Sequence, residues 1–233
     1  MSADTTLDMG SDASRIVRQP RSISDWVGSA CFAAFALLLP LTSGRAGLLL
    51  LPAMLHEIVV SVSFLIRGRA KRSLSGFGPR LAAYGATFVM PVFWWTARRW
   101  SPALVAETAV PTLKAVGSVL WLAGVLFVLW PLWYMRRSFS IEPAARDLVT
   151  AGPYRLARHP IYATQILMFS GFTLVHLTLV HGVVLIAWLA VLHLRVQYEE
   201  RVLCAEYPEY ELYRARVGAF GPWPRMHHTV PAH

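Results

Sequence analysis

Charged residues and cysteines are both scarce in this sequence of 233 residues. Only 15% of the residues are charged and 55% are apolar, whereas soluble domains average about a quarter charged. The two cysteines, Cys31 and Cys204, form no CxxC pattern, so no zinc, haem-attachment or disulfide framework is indicated. The composition therefore argues against a water-soluble globular domain and predicts an integral membrane protein without a metal site.

The sequence contains five long apolar runs. Four of them are each near the ~20 residues that a helix needs to cross a bilayer: residues 26–41, 46–66, 81–97 and 115–134. A fifth run, residues 161–196, is too long for one upright helix and is interrupted at His181-Gly182, so it predicts a broken helix or a helical hairpin. We therefore expect an all-α integral membrane protein with five or six transmembrane helices.

The polar segments predict the orientation. Residues 1–24 contain no apolar run and are expected to form a mobile cytoplasmic tail, followed by a single membrane domain, residues 25–233, with a small cytoplasmic C-terminal cap. With the N-terminus in the cytoplasm, eighteen of the 22 Lys and Arg residues fall in cytoplasmic segments. This asymmetry follows the positive-inside rule. It predicts that both termini are cytoplasmic and accounts for the basic charge without a nucleic-acid partner. If the protein is bacterial, the expected location is the inner (plasma) membrane.

Two segments after the fourth run carry the residues suited to chemistry. The first contains Gly152-Pro153 and His159-Pro160, which favour turns and extended residues where a polar loop enters the membrane. Its side chains include donors for an anionic or zwitterionic small molecule, namely Tyr154, Arg155, Arg158, His159 and Tyr162. The second segment places Arg195 and Glu199 on one helical face. Taken alone, this spacing also fits an ordinary ion pair on a helix surface.

Taken together, these segments resemble the isoprenylcysteine carboxyl methyltransferase family and its phospholipid methyltransferase relatives over about residues 146–217. The pattern G-x-Y-x-x-x-R-H-P-x-Y occurs as Gly152, Tyr154, Arg158, His159, Pro160 and Tyr162. The pattern R-x-x-x-E-E-x-x-L occurs as Arg195, Glu199, Glu200 and Leu203, and an aromatic group follows at Tyr207, Tyr210 and Tyr213. The resemblance implies methyl transfer with S-adenosyl-L-methionine as cofactor, bound by a part of the chain at about residues 136–225.

The resemblance also implies roles for individual residues. By position, the cofactor-binding residues are Arg146, Asp147, Leu148, Val149, Tyr154, His159, Pro160, Ile161, Tyr162 and Glu199. Arg195 is expected to face the methyl acceptor as the catalytic, substrate-binding residue. Two glycines of the family pattern are replaced here, by Thr164 and Pro208, which removes the usual reason for close helix approach near Thr164.

An ionisable pair, His56 and Glu57, lies within the second apolar run. Charge is costly at that depth, so such residues indicate function by default. We predict that both line a substrate pocket between helices. The competing interpretation is that Glu57 is protonated or hydrogen-bonded to a neighbouring helix.

The acceptor is expected to be a lipid or another lipophilic small molecule that reaches the site from the membrane. Nothing in the two segments supplies a clear general base, which favours carboxyl O-methylation because that reaction needs none. N- or S-methylation of a phospholipid amine or a small thiol stays open. Two further alternatives are an NADPH-dependent membrane reductase of the sterol reductase kind, whose Arg-His-Pro and Glu-Glu region is similar, and a non-enzymatic scaffold. The oligomeric state is not indicated.

Overall fold

The computed structural model describes residues 16–17, 23–43, 51–89 and 110–222. Helices dominate these ranges, as the apolar runs predict. In chain order they are α1 (Ile23–Ser43), α2 (Leu51–Ile66), α3 (Phe77–Thr87), α4 (Val110–Phe127), α5 (Leu129–Met135), α6 (Pro160–His176), α7 (Leu179–Glu206) and α8 (Tyr210–Arg216). A 3₁₀ turn, Gly152–Arg155, lies between α5 and α6.

In the part of the chain that the structure describes, three short strands depart from the all-α prediction. They are β1 (Ile16–Val17), β2 (Arg72–Leu74) and β3 (Ala144–Ala145), and they form an antiparallel sheet in the order β1-β2-β3. β1 belongs to the predicted tail, whose other residues before residue 23 lie outside the described part of the chain. The division into a mobile tail and a single domain from residue 25 stays a prediction.

Within the described ranges, two helical segments are long and apolar enough to cross a membrane. The first, Pro111–Met135, comprises α4 from its second residue together with α5. The second is α7, Leu179–Glu206. Shorter apolar helices, Trp26–Leu38 and Ala53–Ile66, coincide with the first two predicted spans. The predicted third span continues beyond residue 89, outside the described residues. A helical protein with membrane-spanning candidates is therefore confirmed, and the total of five or six spans stays a prediction.

The long apolar run folds as an antiparallel helical hairpin. At its base His159 lies near Glu200, and further along the ring centroids of Phe169 and Trp188 are 4.4 Å apart. The break occurs at Leu177, whose φ of 41° is left-handed, rather than at the predicted His181-Gly182. Thr178 explains the difference, because its hydroxyl caps α7 by accepting from the His181 N–H.

Glycines bring α4 and α6 into backbone contact. A Cβ added at Gly171 would lie 2.4 Å from the backbone nitrogen of Trp121, and one at Gly124 would lie 2.7 Å from that of Met168. Side chains at these positions would force the two helices apart. Thr164 takes no part in this approach and instead donates to the Ile161 carbonyl at 2.7 Å. The close approach of α4 and α6 therefore occurs around Met168 and Gly171. These residues lie further along α6 than Thr164, which occupies the position of the family glycine.

Three polar segments meet at one end of the helices. Gly68 donates to the Arg137 carbonyl at 2.8 Å, and Arg158 and His159 donate through their backbone N–H groups to Gly218 and Ala219, each at 2.9 Å. The loop after α2, the loop before α6 and the segment after α8 are therefore neighbours. These are segments that the charge count assigns to one side of the membrane, and their cytoplasmic location stays a prediction.

Candidate active site

A cavity of about 460 Å³ lies where this polar end meets the helices. Its volume falls within the range of small-molecule sites. Every residue to which the sequence analysis assigned cofactor or substrate binding lines it, namely His56, Glu57, Arg146, Asp147, Leu148, Val149, Tyr154, His159, Pro160, Ile161, Tyr162, Arg195 and Glu199. Arg155, named from the sequence as a possible donor, is not among the lining residues. The structure thus brings the two motif segments and the α2 pair onto one cavity, while the role of each residue stays a prediction.

The cavity borders two different surfaces. One part is lined by apolar side chains of α1 and α2, including Phe32, Phe35 and Val60. There Leu38 is 53% exposed on the outer flank of α1. In the polar part, Asp147 is exposed. The cavity therefore combines an apolar wall at α1 with a polar wall at the loop before α6.

The loop before α6 is shaped by Gly152. This residue has φ +60°, and a Cβ there would lie 2.5 Å from the ring of Tyr134, so both the backbone and the packing require glycine. Beyond it, the buried Tyr154 donates to the Pro131 carbonyl at 3.4 Å and accepts through its own carbonyl from the Tyr213 hydroxyl. Burial raises the pKa of Tyr154 and raises that of Tyr213 to about 12. Both phenols are therefore neutral donors at physiological pH.

Arg158 lines the cavity and connects three elements of the fold. Its Nε and Nη2 donate to Glu200 Oε1 at 2.9 and 2.7 Å. Its Nη1 donates to the Arg214 carbonyl at 3.1 Å and to the Val217 carbonyl. The side chain is 1% exposed, so the motif arginine is a buried clamp between the start of α6, α7 and the C-terminal segment.

His159, Tyr162 and Glu199 form the polar wall of the cavity. The His159 Nε2 lies 3.2 Å from Glu200 Oε1, and its Nδ1 lies 3.7 Å from Glu199 Oε2. Tyr162 stacks on the His159 ring with centroids 5.5 Å apart and donates its hydroxyl to Glu199 Oε1. Glu199 is thereby held in place on the cavity wall, as a carboxylate suited to a cationic ligand.

Arg195 is engaged by the protein at every N–H group. Its Nε donates to Glu199 Oε1 at 3.0 Å and its Nη1 donates to the Thr87 hydroxyl at 2.7 Å. The remaining donors reach backbone carbonyls at 3.0 to 3.4 Å, those of Ala83, Ser140 and Ile141. Because a guanidinium carries five N–H groups, this arginine links α3, the loop before β3 and α7. Its predicted contact with the acceptor is untested, and an acceptor would have to displace one of these partners.

Arg146 supplies positive charge to the same cavity. The residue is 8% exposed, and its Nη1 donates to the Gly68 carbonyl. Its Nε has no hydrogen-bond partner among the described residues. Burial lowers the pKa of Arg146 to about 10, which still leaves it charged at neutral pH. The cavity therefore offers an anionic group at Glu199 and a cationic group at Arg146.

The α2 pair lies on the helix side of the cavity. The His56 Nδ1 is 3.0 Å from Glu57 Oε1, and the two side chains are 11% and 7% exposed. Glu57 Oε2 has no hydrogen-bond partner within the described part of the chain. Its observed polar partner is therefore a neighbour on its own helix rather than a group on another helix.

Tyr210 lines the cavity although the sequence analysis gave it no role. It is 1% exposed, and its hydroxyl finds no partner among the described residues. The signal that could have found it is the spacing of Tyr207, Tyr210 and Tyr213, because residues three apart share a helix face.

A comparison with known families gives a match that covers this part of the structure. Residues 112–210 match the model of the phospholipid methyltransferase family. The match runs from α4 to the start of α8 and includes both motif segments, so the resemblance predicted from the sequence is confirmed.

A similar protein of described role is the cobalt-zinc-cadmium resistance protein CzcN of Cupriavidus metallidurans. The two chains are 30% identical over 137 residues, which make up 58% of this chain and 59% of CzcN. The chain thus spans about three fifths of the length of this relative.

Proposed function

We propose that the protein is a membrane methyltransferase that uses S-adenosyl-L-methionine to methylate a lipophilic acceptor. The observation that carries the proposal is the cavity itself. One continuous space is lined by polar motif residues in one part and by apolar side chains of α1 in the other. A polar cofactor and an apolar acceptor can meet there with water excluded.

The residues of the polar part fit the amino-acid end of the cofactor. Glu199 would hold its ammonium group and Arg146 its carboxylate, since both side chains are charged and line the cavity. The neutral donors Tyr154 and Tyr162, together with His159, would orient the adenosine. The cofactor supplies an activated methyl group on a sulfonium, so the protein chiefly has to bind, align and exclude water.

The orientation of the cavity supports the same proposal. Its polar part lies at the end of the helices where the basic segments meet, which the positive-inside rule assigns to the cytoplasm. A water-soluble cofactor would enter from there. The exposed Leu38 on the flank of α1 marks the side from which a lipophilic acceptor would enter.

Carboxyl O-methylation is the acceptor chemistry that the resemblance favours, with Arg195 orienting the carboxylate. In the structure all five N–H groups of Arg195 are taken up within the protein, so a carboxylate acceptor would have to displace one of these partners. N- or S-methylation needs a proton acceptor instead. The unpartnered oxygen of Glu57 supplies a candidate for that role.

The proposal is tested by following a labelled methyl group. Purified protein is incubated with a membrane lipid extract and S-adenosylmethionine that carries an isotopic methyl label, and the organic phase is counted. We expect label in the lipid fraction, suppression by excess S-adenosylhomocysteine, and strong loss in Glu199→Gln. The matched control Glu209→Gln alters an exposed carboxylate on the surface and should keep the activity. Absence of label with every extract would contradict the proposal.

A further inference from the structure

Four exposed arginines lie outside the cavity, close to the end of α5. They form a group that we call the arginine cluster: Arg69, Arg136, Arg137 and Arg155. None of them forms an ion pair with another described residue. Six other basic residues at this end of the helices each have a carboxylate partner, namely Lys71, Arg72, Arg80, Arg158, Arg195 and Arg214. The positive charge of the cluster is therefore not balanced by the described part of the protein.

Backbone contacts bring the cluster together. The residue before Arg69 donates through its N–H to the Arg137 carbonyl at 2.8 Å. The 3₁₀ turn that ends at Arg155 packs against α5, because Gly152 in that turn leaves no room for a Cβ beside the Tyr134 ring. The loop after α2, the end of α5 and this turn therefore meet at one place on the surface.

Aromatic side chains next to the cluster indicate its depth in the membrane. The candidate span Pro111–Met135 ends directly before Arg136. In the last two turns of that span, Trp130, Trp133 and Tyr134 are all exposed. Tryptophan and tyrosine gather at the head-group level of a bilayer. The arginine cluster follows them in the chain and therefore lies at the level of the lipid phosphates.

Arg136 is held over an aromatic ring. Its guanidinium carbon lies 4.7 Å from the centroid of the Trp133 ring, which is a cation–π distance. Its N–H groups donate to no described residue. Stacking on a ring leaves the edge of the guanidinium open, and that edge binds a phosphate through two parallel hydrogen bonds.

An anionic phospholipid matches these features. Its phosphate lies at the level of the cluster, and its net negative charge balances arginines that lack a carboxylate partner. A zwitterionic lipid also carries a cationic group, which the cluster repels. A soluble polyanion would satisfy the charge but would leave the exposed apolar side chains of Phe127 and Trp130 uncovered. A lipid satisfies both.

We propose that the arginine cluster binds the head group of an anionic phospholipid of the surrounding membrane. Arg136 donates two N–H groups to the phosphate, and Arg69, Arg137 and Arg155 contribute positive charge around it. The acyl chains lie along the exposed side chains at the end of α4 and in α5, such as Phe127. None of the four arginines lines the cavity, so this site is independent of the methyl transfer proposed above.

The first test compares lipids on the wild-type protein and needs no variant. Native mass spectrometry of the protein released from detergent counts the bound lipids during titration with phosphatidylglycerol, or with phosphatidylcholine of the same acyl chains. We expect phosphatidylglycerol to bind at least about tenfold more tightly, since several arginines act on one net negative charge. Glycerol 3-phosphate, a soluble phosphate, should not displace the lipid. Equal binding of the two lipids, or displacement by glycerol 3-phosphate, overturns the inference.

The second test uses two arginines in matched settings. Arg136 and Arg201 are both exposed and both lie over an aromatic ring, but Arg201 lies on α7 outside the cluster. Arg136→Gln should weaken phosphatidylglycerol binding about tenfold, which is about 1.4 kcal/mol. Arg201→Gln should change it by less than about twofold. An equal loss in both variants would show a diffuse attraction of the whole basic face, and an unchanged affinity in Arg136→Gln would exclude the phosphate contact; either result overturns the inference.

Discussion

Replacing Arg195 by lysine separates its structural role from a role in catalysis. Lysine keeps the positive charge but offers three donors from one nitrogen, where arginine offers five in a fixed fork. At least two of the five bonds to Ala83, Thr87, Ser140, Ile141 and Glu199 must therefore be lost. Each hydrogen bond lost to this charged group costs about 1–3 kcal/mol, so we expect a destabilisation of about 2–6 kcal/mol.

The assay is thermal unfolding in detergent, followed by tryptophan fluorescence. For a chain of this size, a loss of 2 kcal/mol lowers the midpoint by about 4–8 °C. Arg201→Lys is the matched control on the same helix, because Arg201 is exposed and lies over the Tyr198 ring at 5.5 Å. That control should change stability by less than about 0.5 kcal/mol. If the two variants unfold at the same temperature, the five hydrogen bonds of Arg195 do not stabilise the fold, and this conclusion is refuted. Arg195 would then be available to an acceptor, as the resemblance implies.

Further predictions concern the cofactor contact and two glycines. Glu199→Gln should weaken S-adenosylhomocysteine binding by about tenfold to hundredfold, because it removes a charged hydrogen-bond acceptor worth about 1.5–3 kcal/mol; calorimetry showing an unchanged affinity would refute this role. Gly171→Ala should destabilise the protein by about 1–3 kcal/mol through overpacking against α4, whereas Gly182→Ala, whose Cβ would meet nothing within 4 Å, should be neutral or slightly stabilising. Equal unfolding midpoints for these two variants would contradict the close approach of α4 and α6. Gly152→Ala should also lower the midpoint, because its left-handed backbone costs an L-residue about 1–2 kcal/mol before the contact with Tyr134 is counted; a midpoint equal to the wild type would show that the turn can relax.

The residues of the cavity could be predicted because they lie in two short motifs and one conspicuous pair. Glu57 and His56 stood out as ionisable residues in an apolar run, and the structure places both on the cavity. Their position within an apolar run was sufficient for that. The α6–α7 hairpin was likewise visible as an apolar run longer than one span.

The partners of Arg195 could not be predicted in the same way. Three of them are backbone carbonyls in α3 and in the loop before β3, and a carbonyl has no signature in the sequence. The spacing of Arg195 and Glu199 revealed only the contact within the helix. The hairpin break was misplaced for a related reason, since a left-handed leucine is unusual and Gly182 was the more conspicuous candidate.

The central claim is that the cavity binds S-adenosylmethionine. Calorimetric titration of the wild-type protein with S-adenosylhomocysteine, and separately with NADPH, tests it most directly. We expect saturable binding of S-adenosylhomocysteine at one site per chain and no heat from NADPH. Binding of NADPH alone would favour the membrane reductase, and binding of neither compound would leave only a scaffold; either result contradicts the account.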